Sequence, residues 1–151
     1  EVPEMLVGAG TVLTKEQVRK VHAAGGQLIV SPHFNADVVR EAVRLDMACL
    51  PGVMTPSEAF AALDAGASGL KLFPAEMITP AVVRALRAVL PPATRLLPVG
   101  GITPDSMAAW QAAGASGFGI GSALYKPGMS AAQVGASAMN FIAAYAGIMR
   151  A

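Results

Sequence analysis

Residues 95–124 read "RLLPVGGITPDSMAAWQAAGASGFGIGSAL". An apolar run ends on Gly100-Gly101, Thr103-Pro104 opens a helical stretch, Gly114 closes it, and a second apolar run ends on Gly119 and Gly121. Strand, turn, helix and strand in that order make a βα repeat with a parallel sheet. Such a repeat either closes into a barrel or stays open. An open dinucleotide-binding sheet carries G-x-G-x-x-G after its first strand. The early stretch "VGAGTVL" (7–13) has G-x-G without a third glycine at the required place. The glycines gather instead on the last two strands, in "VGGITP" (99–104) and "GIGSAL" (119–124). In (β/α)8 barrels the loops after strands seven and eight frequently form a phosphate site. Glycine lets the backbone approach an anion closely, and the N–H groups at the next helix start point at it. The stretch therefore predicts an α/β chain of the (β/α)8 barrel class, with strands seven and eight in view.

The same unit recurs toward the N-terminus. Apolar runs begin at Leu6, Gln27, Ala48, Gly69, Arg95 and Gly117, spaced 21, 21, 21, 26 and 22 residues apart. Between them lie residues at helical spacing: Val18, Val21 and His22; Val38, Val39, Ala42 and Val43; Ala59, Phe60 and Leu63; Val82, Val83, Leu86 and Leu90. Thr14 with Gln17 has capping-box spacing, and Thr55-Pro56, Thr79-Pro80 and Thr103-Pro104 each pair a cap with a proline suited to the first helical position. Gly25, Gly66 and Gly114 mark helix ends. Near-continuous apolar strands are what a parallel sheet covered on both faces requires. The last stretch, "SAAQVGASAMNFIAAYAGIM", predicts a longer helix whose Met and aromatic residues pack inward. Counting back from strand eight makes the first run the third strand. Residues 1–151 then form a single barrel domain of strands three to eight. Two further βα units, roughly 45 to 55 residues, would bring the chain to about 200, the lower limit for this fold. A first residue of Glu1 rather than Met agrees with that count.

Composition narrows the function. Hydrophobic residues make up 54% and charged residues 14% of 151 positions, which is a core-forming chain. A net charge of +1 with scattered signs favours neither nucleic acid nor an anionic membrane as partner. The apolar runs are too short and too interrupted to span a bilayer, and no basic-then-apolar leader opens the chain. Cys49 is the only cysteine, so an internal disulfide is excluded and a reducing compartment fits; as a small buried residue it needs no further role.

Barrel active sites sit at the carboxyl ends of the strands. In order, those ends carry Thr11, Ser31-Pro32, Pro51-Gly52, Lys71 with Phe73, Gly100-Gly101 and Gly121-Ser122. In "GLKLFP" the strand alternation places Gly69, Lys71 and Phe73 on one face and Leu70 and Leu72 on the other. The leucines suit the helix layer, so Lys71 points into the barrel mouth. Burial lowers a lysine pKa, and a neutral amine attacks a ketone to form a Schiff base. A lysine that lays its stem on apolar surface and lifts its head to solvent is the plainer alternative. Other polar residues read more simply: His33 as a solvated loop histidine, His22 as a helix-surface or packing residue, Glu76 as a solvated loop-end carboxylate, Trp110 as packing. No His/Cys/carboxylate group has metal-ligand spacing.

Taken together, "VGAGTVL", "QLIVSP", "LPGVMTPSEAFAALDAGA", "LKLFPAE", "LPVGGITPDSM" and "GIGSALYKPGMS" resemble the class I 2-keto-3-deoxy-6-phosphosugar-acid aldolases over nearly the whole chain. Val99 stands where gluconate-type members usually carry Thr, and "LYKPGMS" resembles the galactonate type; "FPAE" leans toward the gluconate type. The resemblance implies Lys71 as the Schiff-base lysine, Thr11 as a contact to the pyruvate part of the substrate, and Gly101, Gly121 and Ser122 as phosphate-binding positions. It further implies a cytoplasmic homotrimer that needs no metal or cofactor and takes a phosphorylated 2-keto-3-deoxy sugar acid and pyruvate. The family's glutamate acid/base, at the end of strand two, and an arginine near the end of strand one have no counterpart here; Glu1 and Glu4 come after that region. Three alternatives stay open: the gluconate-epimer aldolase, a phosphate-binding barrel without lyase activity, and another barrel enzyme such as a phosphosugar isomerase or synthase.

Overall fold

The computed structural model describes residues 5–148. The chain gathers into two compact units, Glu1–Phe73 with Ala93–Arg95, and Pro74–Pro92 with Leu96–Ala151.

The first unit runs β1 (Gly8–Ala9), α1 (Lys15–Ala23), β2 (Leu28–Val30), α2 (Ala36–Arg44), β3 (Ala48–Leu50), β4 (Gly52–Val53), α3 (Pro56–Asp64) and β5 (Leu70–Leu72). Strands β1, β2 and β3 pair in parallel, with Gly8 opposite Leu28 and Leu28 opposite Ala48; β4 pairs in parallel with β5, with Gly52 opposite Lys71. The run expected from Ala48 is thus two strands. Pro51 has no N–H to offer the ladder, so the chain pairs with one neighbour before it and another after it. Ile29, Cys49, Leu70 and Leu72 are fully buried, while Leu28, Val30, Leu50 and Lys71 between them are half-buried. Ile29 and Cys49 share a core with Val18 of α1 and with Val38, Val39 and Ala42 of α2.

The helix starts at Thr14 and Thr55 follow the sequence signals, whereas Thr79, expected as a cap, makes no side-chain cap hydrogen bond although Pro80 holds the start of its helix. Thr14 and Gln17 form a complete capping box on α1, and Thr55 and Glu58 form another on α3, where Pro56 takes the first helical position. Gly25, Gly66 and Gly114 all hold positive φ just past helix ends. Linking α1 to α2, the buried Glu41 takes Arg19 at 2.7 Å and Arg44 at 2.8 Å. Those two guanidiniums hold its carboxyl down at about 2.

The second unit holds a 3₁₀ turn (Ala75–Met77), α4 (Pro80–Arg87), β6 (Leu96–Pro98), a 3₁₀ turn (Pro104–Ser106) leading into α5 (Met107–Ala112), and α6 (Ala131–Ile148). Arg87 ties α4 to the end of α5, its Nε donating to the Gly114 carbonyl at 2.8 Å. Trp110 is buried, as a packing residue should be. The run from Gly117 forms only one parallel bridge, Val99 to Gly119, instead of a full strand. Its glycines at 117, 119 and 121 cost conformational entropy and bring no side chains to pack across the pair, which weakens a strand. The inward packing expected of α6 also holds only in part. Phe141 is buried and Phe118 meets Tyr145 edge-on at 6.4 Å, but Met139 and Ile142 are 64% and 59% exposed. Ala, Met, Ile and Tyr surround this helix on every side, and only one stripe of it meets α5 and the Pro104–Ser106 turn. Val43 and Phe60, expected on buried helix faces, are likewise exposed.

Candidate active site

In the first unit the candidate chemistry stands at the carboxyl ends of parallel strands. Leu70 and Leu72 are fully buried and Lys71 between them is half-buried, so alternation along the strand puts Lys71 on the face opposite the leucines. The Lys71 backbone is fixed there, its N–H donating to the Pro51 carbonyl at 2.9 Å. Its Nζ lies 4.1 Å from the centre of the Phe73 ring, so the two residues share the face that alternation assigned them. Loss of water around the amine lowers its pKa below the usual lysine range. The negative face of the ring acts the other way and favours ammonium. The result is a half-buried amine eased toward its neutral form.

Thr11 follows β1 and is exposed, with a φ of 58°. A β-branched residue in the left-handed region is a marked outlier. Ser31, at the end of β2, is 1% exposed and donates its hydroxyl to the Val12 carbonyl at 2.7 Å. His33 and His22 lie exposed, as solvated histidines would.

In the second unit the bridge between Val99 and Gly119 sets the two glycine turns side by side. Gly100 and Gly101 hold φ of 111° and 63°, conformations that favour glycine. Glu76 lies directly against both: a Cβ on Gly100 would strike its carboxylate, and one on Gly101 would come within 2.9 Å of its Cγ. Ala75, beside it, donates its N–H to the Val99 carbonyl at 2.9 Å and pins the 3₁₀ turn there. Glu76 is exposed, as its loop-end position suggested, but its place on the glycine pair was not legible in the sequence. Gly121 accepts from the Leu124 N–H at 2.9 Å, closing a turn that leaves Gly121 and Ser122 exposed. Among the described residues no three His, Cys, Asp or Glu side chains gather as a metal site. No helix among them is long and apolar enough to cross a membrane.

Residues 1–138 match the aldolase family described as KDPG and KHG aldolase. The chain is 49% identical over 140 residues to a probable 2-dehydro-3-deoxy-6-phosphogalactonate aldolase of Rhizobium meliloti, which spans 93% of this chain and 66% of that protein. It is 46% identical over 140 residues to the 2-dehydro-3-deoxy-6-phosphogalactonate aldolase of Escherichia coli, covering 68% of it. The chain therefore spans about two thirds of the length of these curated relatives. A solved structure described as native KDPGal superposes with a TM-score of 0.96 at 43% identity, over 98% of this chain and 72% of that one. A KDPG aldolase of Legionella pneumophila, solved with pyruvate captured as a covalent carbinolamine intermediate, superposes with a TM-score of 0.64 at 28% identity, over 77% of this chain and 58% of that one.

Proposed function

The chain belongs to the KDPG and KHG aldolase family, and on that premise we propose that it is a class I aldolase which cleaves 2-dehydro-3-deoxy-6-phosphogalactonate to pyruvate and D-glyceraldehyde 3-phosphate. The observation that carries this reading is Lys71: an amine on the open face of a parallel strand, partly stripped of water, with its flanking leucines locked in the core. Lys71 Nζ attacks the C2 ketone, and loss of water from the carbinolamine leaves an iminium. The iminium draws electrons from the C3–C4 bond as a base takes the C4 hydroxyl proton. The aldehyde leaves, C3 of the enamine is protonated, and hydrolysis frees pyruvate and the amine. In the family the proton passes through a glutamate at the end of strand two, a stretch these residues do not include. Thr11 meets the carboxylate end of the substrate. The backbone N–H groups around Gly101, Gly121 and Ser122 take the phosphate.

The higher identity to the two galactonate relatives, together with Val99, supports the galactonate epimer over the gluconate one. On the strand count we place residues 1–151 as strands three to eight of one barrel domain, and on the family resemblance we read the protein as a cytoplasmic homotrimer. The test offers each epimer to the protein and follows pyruvate through lactate dehydrogenase. Release from the galactonate acid, lost on Lys71→Ala, supports the assignment. Turnover that survives Lys71→Ala, or phosphosugar binding without any pyruvate at high protein concentration, would refute it.

A further inference from the structure

Only two non-glycine residues among those described hold a positive φ, Thr11 and Asp46. Asp46 follows the end of α2, and aspartate tolerates that conformation. Thr11 has no such excuse: its branched Cβ crowds the backbone, and the conformation persists only where the surroundings over-determine it. Those surroundings are on view. On the far side of Thr11, Gln17 Oε1 accepts the Leu13 N–H at 2.6 Å and the Thr14 N–H at 3.2 Å. On the near side, Val12 is 3% exposed and its N–H donates to the Val30 carbonyl at 3.3 Å. The Val12 carbonyl accepts the Ser31 hydroxyl at 2.7 Å. Ser31 is itself fixed, its N–H donating to the Leu50 carbonyl at 3.2 Å.

We infer that Ser31 is a positioning residue for the aldolase reaction: its buried hydroxyl clamps the Val12 carbonyl and so holds Thr11 in the left-handed conformation that presents it to the pyruvate end of the substrate. This rests on the reading of Thr11 as the pyruvate contact. The hydroxyl cannot serve the substrate directly, because it is buried and spent on Val12. Its effect must pass through the backbone of the neighbouring strand end. Removing it leaves a buried carbonyl without its partner and lets the strained turn relax.

The test compares the protein, Ser31→Ala, Thr11→Gly and the double variant. One readout is the pyruvate concentration that half-saturates borohydride trapping. The other is hydrogen exchange at the Val12 amide, which needs no ligand. Ser31→Ala should raise half-saturating pyruvate roughly three- to tenfold, with the maximal extent of trapping little changed, and should speed Val12 exchange by a similar factor. Glycine at position 11 adopts the turn without a clamp, so Ser31→Ala should add less than about twofold to either readout in that background. If Ser31→Ala does not fold, Ser31→Cys keeps the size and a weaker donor, and should give the same pattern at smaller amplitude. Unchanged Val12 exchange in Ser31→Ala overturns the clamp. Faster exchange with unchanged half-saturation, while Thr11→Gly does weaken pyruvate, overturns its link to the reaction. Thr11→Gly leaving half-saturation unchanged shows instead that the pyruvate reading of Thr11 has failed, and the inference falls with it.

Discussion

Alanine placed at Gly100 should destabilise the protein more than alanine at Gly101, although the two positions are adjacent. At φ 111° Gly100 lies beyond the φ range of the left-handed well, whereas Gly101 at φ 63° falls within that range. Strain at sparsely populated backbone angles costs about 1–3 kcal/mol. Against this, alanine narrows the unfolded ensemble and returns about 0.4–1 kcal/mol. The balance is about 1–2 kcal/mol lost for Gly100→Ala and about 0–1 kcal/mol for Gly101→Ala. The new Cβ at 100 would also strike the Glu76 carboxylate, but Glu76 is exposed and its side chain can swing away, so that part is cheap. Urea unfolding followed by the fluorescence of Trp110, the single and buried tryptophan, reads the difference directly. With a slope of about 1–3 kcal/mol per molar, the Gly100→Ala midpoint should fall by about 0.5–1 M. Adding Glu76→Ala should recover only a few tenths of a kcal/mol. Equal midpoints for the two alanine variants, or full recovery on removing Glu76, would refute the backbone argument.

Leu72→Ala, at a fully buried position beside the lysine, should cost about 2–5 kcal/mol in the same assay. Glu41→Gln should lower stability at neutral pH. Because the folded carboxyl is held near 2 against 4.5, the wild-type advantage should be complete above 4.5 and fade as pH falls toward 2 in parallel urea titrations. Lys71→Met should be as stable as the parent or more so at neutral pH, since a desolvated ammonium is removed. The folded amine titrates below 10.5, so the unfolded chain holds more protons between the two values, and the difference should shrink as pH rises toward 10.5. Burial pushes the Cys49 thiol up to about 12, so a disulfide reagent should modify it only as fast as the protein opens.

Local chemistry was the part of the fold that could be read from residues. Thr14 with Gln17 and Thr55 with Pro56 announce helix starts because a cap is satisfied within four residues; the structure completes both boxes, with Glu58 as the partner of Thr55 that the sequence reading did not name. The period-2 run around Lys71 was legible for the same reason: each leucine's face follows from its neighbour's. Pro51 shows the other side. Its missing N–H was visible, but that the ladder changes partner there depends on which strands lie alongside. The run at Gly117–Ser122 looked like its predecessors in spacing and failed as a strand because its glycines bring so little to pair. Ser31 and Glu76 were least legible. Ser31 reaches a carbonyl nineteen positions away, and Glu76 lies against glycines twenty-four and twenty-five positions on, so neither contact leaves a trace in the local pattern.

The nucleophile is tested most directly by treating the 151-residue chain with pyruvate and borohydride and mapping the labelled peptide by mass spectrometry. One reduced pyruvate should be found on the peptide holding Lys71, and none in Lys71→Ala. Label on any other lysine, or an unlabelled Lys71 in protein that saturates with pyruvate, would contradict it.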